Sequence, residues 1–126
     1  MKKLLLVLTL VILAGALFTV YDHYSNYFTG TTTAAYVATE AIECQSYSQK
    51  YIHIENTGKA NAMLYKVYGY PTSTSTYYEE VVSETTIAAS GSDDVKLANT
   101  AYAKLVFQVK WVSAATTYTI GYNLIP

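Results

Sequence analysis

The stretch YAKLVFQVKWV, residues 102–112, alternates in two-residue steps. Ala103, Leu105, Phe107, Val109 and Trp111 fall on one side, and Tyr102, Lys104, Val106, Gln108 and Lys110 on the other. A helix, repeating every 3.6 residues, cannot gather the first set on one face; a strand does so at every second residue. The segment TTYTIGYNLI (116–125) repeats the pattern with Tyr118, Ile120, Tyr122 and Leu124 inward, and Ser113-Ala114-Ala115 is short enough to join the two as a hairpin. KYIHIENTGKANAMLYKVYGY (50–70) reads as a second pair. Ile52 and Ile54 face in, Asn56-Thr57-Gly58-Lys59 turns, and residues 63–70 return until Pro71, which cannot donate to a ladder, ends the strand.

Further strands are expected at 77–82, 85–89 and 95–97, the last two separated by the turn SGSDD. Residues 36–44 are mixed: Ala34, Val37, Ala38, Ala41 and Ile42 fit a helical face, but β-branched content and position favour a first strand. Such short connections leave no room for parallel crossovers, so the strands are antiparallel. The expected fold is mainly β: an N-terminal hydrophobic α-helix followed by an immunoglobulin-like β-sandwich of about seven strands, in architecture only, since the Cys…Trp…Cys signature is missing.

The chain opens with Met1-Lys2-Lys3 and an apolar run from Leu4 to Val20, broken only by Thr9, Gly15 and Thr19. Seventeen residues at ~1.5 Å each reach roughly 26 Å, the lower limit for a bilayer. The lysines place the N-terminus on the cytoplasmic side, and Tyr21, Tyr24, Tyr27 and Phe28 form an aromatic cluster of the kind found at membrane edges. The same residues fit a cleaved signal peptide, with Leu4–Leu13 as its apolar region and Ala14-Gly15-Ala16 as its cleavage site. The residues alone do not choose between the two; a retained helix is the expectation adopted. FTGTTTAAY (28–36) then reads as a flexible neck, which divides the chain into a helix and neck at 1–30 and an extracellular β-domain at 31–126.

Fourteen Tyr and seventeen Thr stand against 13% charged residues. Both types favour strands that are packed on one side and wet on the other, and so low a charge suits an exported protein or a subunit covered by its neighbours. Eight Lys, no Arg and a net charge of −1 give no basic footprint for nucleic acid. The single cysteine, Cys44, excludes an intrachain disulfide and a multi-cysteine metal site, and reads as a small buried apolar group.

No constellation of catalytic residues is evident. His53 and Glu55 share a strand face but make half a metal site at best. Asp22-His23 marks the water boundary after the apolar run. Glu79-Glu80 with Glu84, and Asp93-Asp94, are the acidic clusters, and SGSDD lacks the alternating oxygen ligands of a calcium loop. Ser90-Gly91-Ser92 matches no nucleophile motif. The expectation is therefore no enzyme, no cofactor, no metal and no small-molecule substrate. In an exported protein the hydroxyl runs Thr31-Thr32-Thr33 and Thr72-Ser73-Thr74-Ser75-Thr76 are candidate O-glycosylation sites. None of the asparagines begins an N-glycosylation sequon.

An apolar N-terminal helix, an aromatic exit, a short neck and a β-sandwich together resemble the plan of archaeal type IV pilins and related filament subunits. YIHIENTGKANAMLYKVYGY is similar to a strand–Asn-Thr-Gly–strand hairpin of those domains, and AKLVFQVKWVSAATTYTIGYNLI to their final hairpin. The resemblance implies a homopolymer whose helices pack in a water-free core, through Leu4, Leu5, Leu8, Val11, Ile12, Gly15, Leu17 and Phe18, with the β-domain outside for surface contacts or adhesion. The membrane would hold the subunit before or instead of assembly. The alternative expectation is a monomeric membrane-tethered or secreted β-sandwich that acts as a binding or envelope module, cellular or viral.

Overall fold

The computed structural model describes residues 24–126. Nine strands follow in chain order: β1 (Tyr24–Thr31), β2 (Val37–Ala38), β3 (Ile42–Glu43), β4 (Gln49–Asn56), β5 (Met63–Tyr70), β6 (Glu79–Ile87), β7 (Ser92–Ala98), β8 (Lys104–Trp111) and β9 (Thr117–Ile125). No helix occurs among the described residues. The expected N-terminal helix, with Leu4 through Phe18, lies outside them.

The strands form two antiparallel sheets in the orders β1-β9-β4-β7 and β2-β8-β5-β6, with β3 also on β8. β2 and β3 together act as one interrupted edge strand, so residues 36–44 are extended, as β-branched content suggested. Nearly every connection passes from one sheet to the other; β5 to β6 is the exception among the long strands. This interleaving is the jelly-roll arrangement of a double-sheet sandwich.

Several expectations are corrected. β8 and β9 are not a hairpin: β8 pairs with β5 while β9 lies between β1 and β4 in the other sheet. β4 and β5 are likewise in different sheets, so Asn56-Thr57-Gly58-Lys59 begins a crossover, not a hairpin turn. The immunoglobulin-like label gives way with them, because that fold keeps its strands in another order. Two-residue alternation reports which face of a strand is buried and is silent about its neighbour. Two further corrections are local. Residues 24–31, read as helix exit and neck, pair with β9 along their whole length, from Tyr24 opposite Leu124 to Thr31 opposite Thr117. The expected separate strands at 77–82 and 85–89 are one strand, β6, whose register against β5 slips near Val67.

Between the sheets lie the alternating residues that the sequence marked, Ile52 and Ile54 from β4, Leu105, Phe107 and Val109 from β8, and Ile120 and Leu124 from β9, joined by Met63, Tyr65 and Val67 from β5. Tyr65 stacks on Phe107 with ring centroids 5.8 Å apart, and its hydroxyl crosses the core to donate to Asp93 on β7 at 2.6 Å. Burial, and then this bond, raise the Tyr65 hydroxyl above the usual phenol range. Trp111, expected inward, sits half-buried at the end of β8.

Candidate functional site

The four sheet edges differ in how they meet solvent. An edge strand presents unpaired N–H and C=O groups that template the addition of another strand unless charge, proline or brevity blocks it. β6 carries Glu79, Glu80 and Glu84, and β7 carries Asp93, Asp94 and Lys96. β2 and β3 are two residues each. β1 is eight residues long, YSNYFTGT, with neither charge nor proline, and Tyr27 on it is 69% exposed. It is the one long, undefended edge among the described strands, and it continues directly from the N-terminal segment.

A second feature lies where the β5–β6 and β7–β8 connections meet. Residues 71–78, between β5 and β6, and residues 99–103, between β7 and β8, enclose an open cleft of about 470 Å³. Tyr77, Tyr78 and Tyr102 line it with Glu79, Thr100 and Pro71. The Tyr102 ring lies flat on the backbone of Gly69, where a Cβ would come 2.5 Å from the ring, so only glycine admits it. The Tyr102 hydroxyl donates to Glu79. Tyr78 is fixed from behind by Tyr68 and Tyr70, with centroids at 4.6 and 5.6 Å. Lys104 lies 4.4 Å above the Tyr70 ring and donates to the Ser73 carbonyl at 3.0 Å, which pins the 71–78 loop.

Beneath the cleft wall is a buried cation. Lys50 is 1% exposed, and its ammonium donates to the carbonyls of Tyr47 (2.7 Å) and Thr100 (2.9 Å) and to the Thr100 hydroxyl (3.0 Å). All three ammonium hydrogens are thus used, as burial of a charge demands. Desolvation lowers the Lys50 pKa, partly offset by Cys44. Cys44, fully buried, points its thiol at the Tyr102 carbonyl (3.3 Å), and burial pushes that thiol up to about 11. The sequence marked neither Lys50 nor the cleft. Lys50 sits at an inward position of an alternating strand, which was the available signal; the cleft is assembled from segments about thirty residues apart.

The far end is closed without charge. The Asn56 amide donates to the carbonyls of Asn61 (2.8 Å), Ala88 (3.2 Å) and Ile87 (3.3 Å), while its oxygen accepts from Thr116 (2.7 Å) and the Gly58 N–H (3.2 Å). Thr116 in turn exchanges hydrogen bonds with Thr32.

The candidate glycosylation sites divide. Thr31, Thr33, Thr72, Ser73, Thr74 and Thr76 are exposed, and Ser75 is half-buried with its hydroxyl bonded to the Tyr77 backbone. Thr32 is 2% exposed and its hydroxyl is committed to Thr116, so a glycan has no access to it. His53 and Glu55 do not converge on a shared ligand. His53 instead pairs with Asp94 at 2.7 Å on the solvent face, a bond that holds the Asp94 carboxyl below its usual range. No group of three or more His, Cys, Asp or Glu that could hold a metal ion occurs among the described residues.

No known protein family matches the chain, and no curated protein matches it. Solved structures do. PirA superposes with a TM-score of 0.58 at 12% identity, covering 76% of this chain and 92% of that one. A subunit of Bacillus endospore appendages, described as disulfide-linked pili, gives 0.53 at 8% identity, with 83% and 88% covered. The Yersinia pseudotuberculosis-derived mitogen gives 0.54 at 12% identity, with 80% and 86% covered. At such identities the likeness establishes the double-sheet β fold shared by these proteins.

Proposed function

We propose that the chain is a structural subunit of an extracellular filament, self-assembling through its hydrophobic N-terminal segment, and that it is not an enzyme. The observation that carries this reading is the β1 edge. Eight uncharged, β-competent residues, whose outer edge is unpaired among the described residues, begin four positions after the end of the apolar run at Val20. Two adjoining stretches of chain each favour a dry partner. The apolar run contributes the larger share, since burying each Leu or Ile side chain is worth about 1.5–3 kcal/mol, and the small residues Ala14-Gly15-Ala16 suit close contact between copies. β1 then adds its free backbone groups to an edge of a neighbouring copy, the mode by which strands extend a sheet across an interface. A pilus subunit with the same fold supports the reading by analogy of architecture. The archaeal pilin resemblance, an exported location and a role in adhesion belong to the same proposal.

The test is Leu8→Lys in the full chain. A charge in the middle of a packed apolar helix costs several kcal/mol per copy, so assembly is lost while the circular dichroism and urea midpoint of the β-domain stay unchanged. A variant that still sediments as large assemblies overturns the reading.

A further inference from the structure

We propose that the cleft between the 71–78 loop and the β7–β8 connection binds a neutral saccharide, one or two pyranose rings long, through Tyr77, Tyr78, Tyr102 and Glu79.

Four observations lead to this chemistry. The volume, about 470 Å³, lies within the ordinary range for small-ligand sites. The lining is amphipathic in a particular way: aromatic faces beside phenolic hydroxyls and one carboxylate. A pyranose ring matches that lining, because its axial C–H bonds form a weakly positive apolar face while its hydroxyls project around the rim. The C–H face rests on the negative face of an aromatic ring, and the rim hydroxyls donate to a carboxylate and exchange hydrogen bonds with phenols.

The outer rings of the cleft also carry no lysine. Tyr36 carries Lys66 and Lys110 over its ring, Tyr51 carries Lys96, and Tyr70 carries Lys104. Tyr77 and Tyr78 carry none among the described residues and are 83% and 55% exposed. Finally, the site is built in advance. Gly69 seats Tyr102, Tyr102 orients one oxygen of Glu79, and the second Glu79 oxygen has no hydrogen bond among the described residues. Lys104 holds the loop through Ser73, and Ser75 holds Tyr77 through its backbone. Preorganisation of this kind removes much of the ordering cost of binding.

Exposure decides between a sugar and the other ligand that an aromatic, acidic cleft suggests, an organic cation. Cation–π attraction amounts to only about 0.5–1 kcal/mol at exposed rings and needs an enclosed, desolvated cage to exceed that. This cleft is open on the side of Tyr77. A saccharide gains from one open platform, since its opposite face stays hydrated.

The inference is independent of filament formation and is tested on the full chain, assembled or not, by saturation-transfer NMR. The probes are cellobiose, maltose, lactose and diacetylchitobiose, with choline as the cationic comparison. At least one disaccharide receives saturation from the protein, and choline does not displace it. Tyr77→Ala weakens that disaccharide about tenfold, which corresponds to loss of one stacking platform, with an unchanged urea midpoint. Tyr102→Phe, which keeps the ring and frees Glu79, weakens it less. Silence from all four disaccharides overturns the inference, as does binding unaffected by Tyr77→Ala, or displacement by choline.

Discussion

At one end of the sandwich a neutral amide, Asn56, ties together the β4–β5, β6–β7 and β8–β9 connections and reaches the β1–β2 connection through Thr116. At the other end a cation, Lys50, ties the β3–β4 connection to the β7–β8 connection, and the 71–78 loop stands beside them as the wall of an open cleft. Both devices bury a polar group and satisfy it fully. They differ in that the amide does not titrate, whereas the ammonium and the thiol beside it do, each with a pKa displaced by burial. The closed end is therefore a scaffold insensitive to its medium, and the cleft end carries the free aromatic surface on a base whose stability depends on pH.

The largest expected effect comes from breaking the closed end. Asn56→Ala removes all five hydrogen bonds and leaves buried carbonyls, the Thr116 hydroxyl and the Gly58 N–H without partners. With about 1–3 kcal/mol for each orphaned group, offset by water reaching some of them, the expected loss is about 3–4 kcal/mol, read as a fall in the urea midpoint. Because nothing there titrates, this loss is the same at pH 6 and pH 9. A pH-dependent penalty would erase the contrast between the two ends.

The second effect sharpens the contrast from the cleft end. The Cys44 thiol has its pKa raised from 9.0 to about 11 by burial. A raised pKa means that between those values the unfolded chain gives up a proton that the folded chain keeps. Stability is then fully present below pH 9 and lost as pH rises toward 11, by about 2–3 kcal/mol in all. Lys50 works in the opposite sense, since its lowered pKa lets the folded state shed its proton first, and stability gains as pH rises. The informative measurement is thus the difference in unfolding free energy between wild type and Cys44→Ala at matched pH. That difference shrinks from pH 8 to pH 11; a constant difference would place the thiol in contact with water. The smallest effect is that of Tyr77→Ala, within about 0.5 kcal/mol by urea unfolding, as expected of a side chain committed to solvent and ligand instead of packing.

Legibility in the sequence follows the same division. The inward faces of β4, β8 and β9 could be read from Ile52, Ile54, Phe107 and Ile120, because a half-buried strand writes its burial directly as alternation. Strand partners could not, because residues 113–116 and 57–62 are as compatible with a crossover between stacked sheets as with a hairpin. β1 escaped notice because Tyr24, Asn26, Phe28 and Gly30, which share its inner face, differ little in polarity from Ser25, Tyr27 and Thr29 on the outside. The buried roles of Thr32, Lys50 and Asn56 depend on partners 84, 50 and up to 60 positions away. No local pattern marks such contacts. The cleft shares that property: Gly69 and Tyr102 carry a meaning that exists only once β5 and β8 are side by side.

The β1 edge and the apolar run before it hold the account together, and negative-stain electron microscopy of the full-length chain in detergent-free buffer tests them most directly. The account predicts filaments of uniform width, with the β-domains decorating the outside. Discrete particles of single-chain mass, or particles that persist only in detergent, would contradict it.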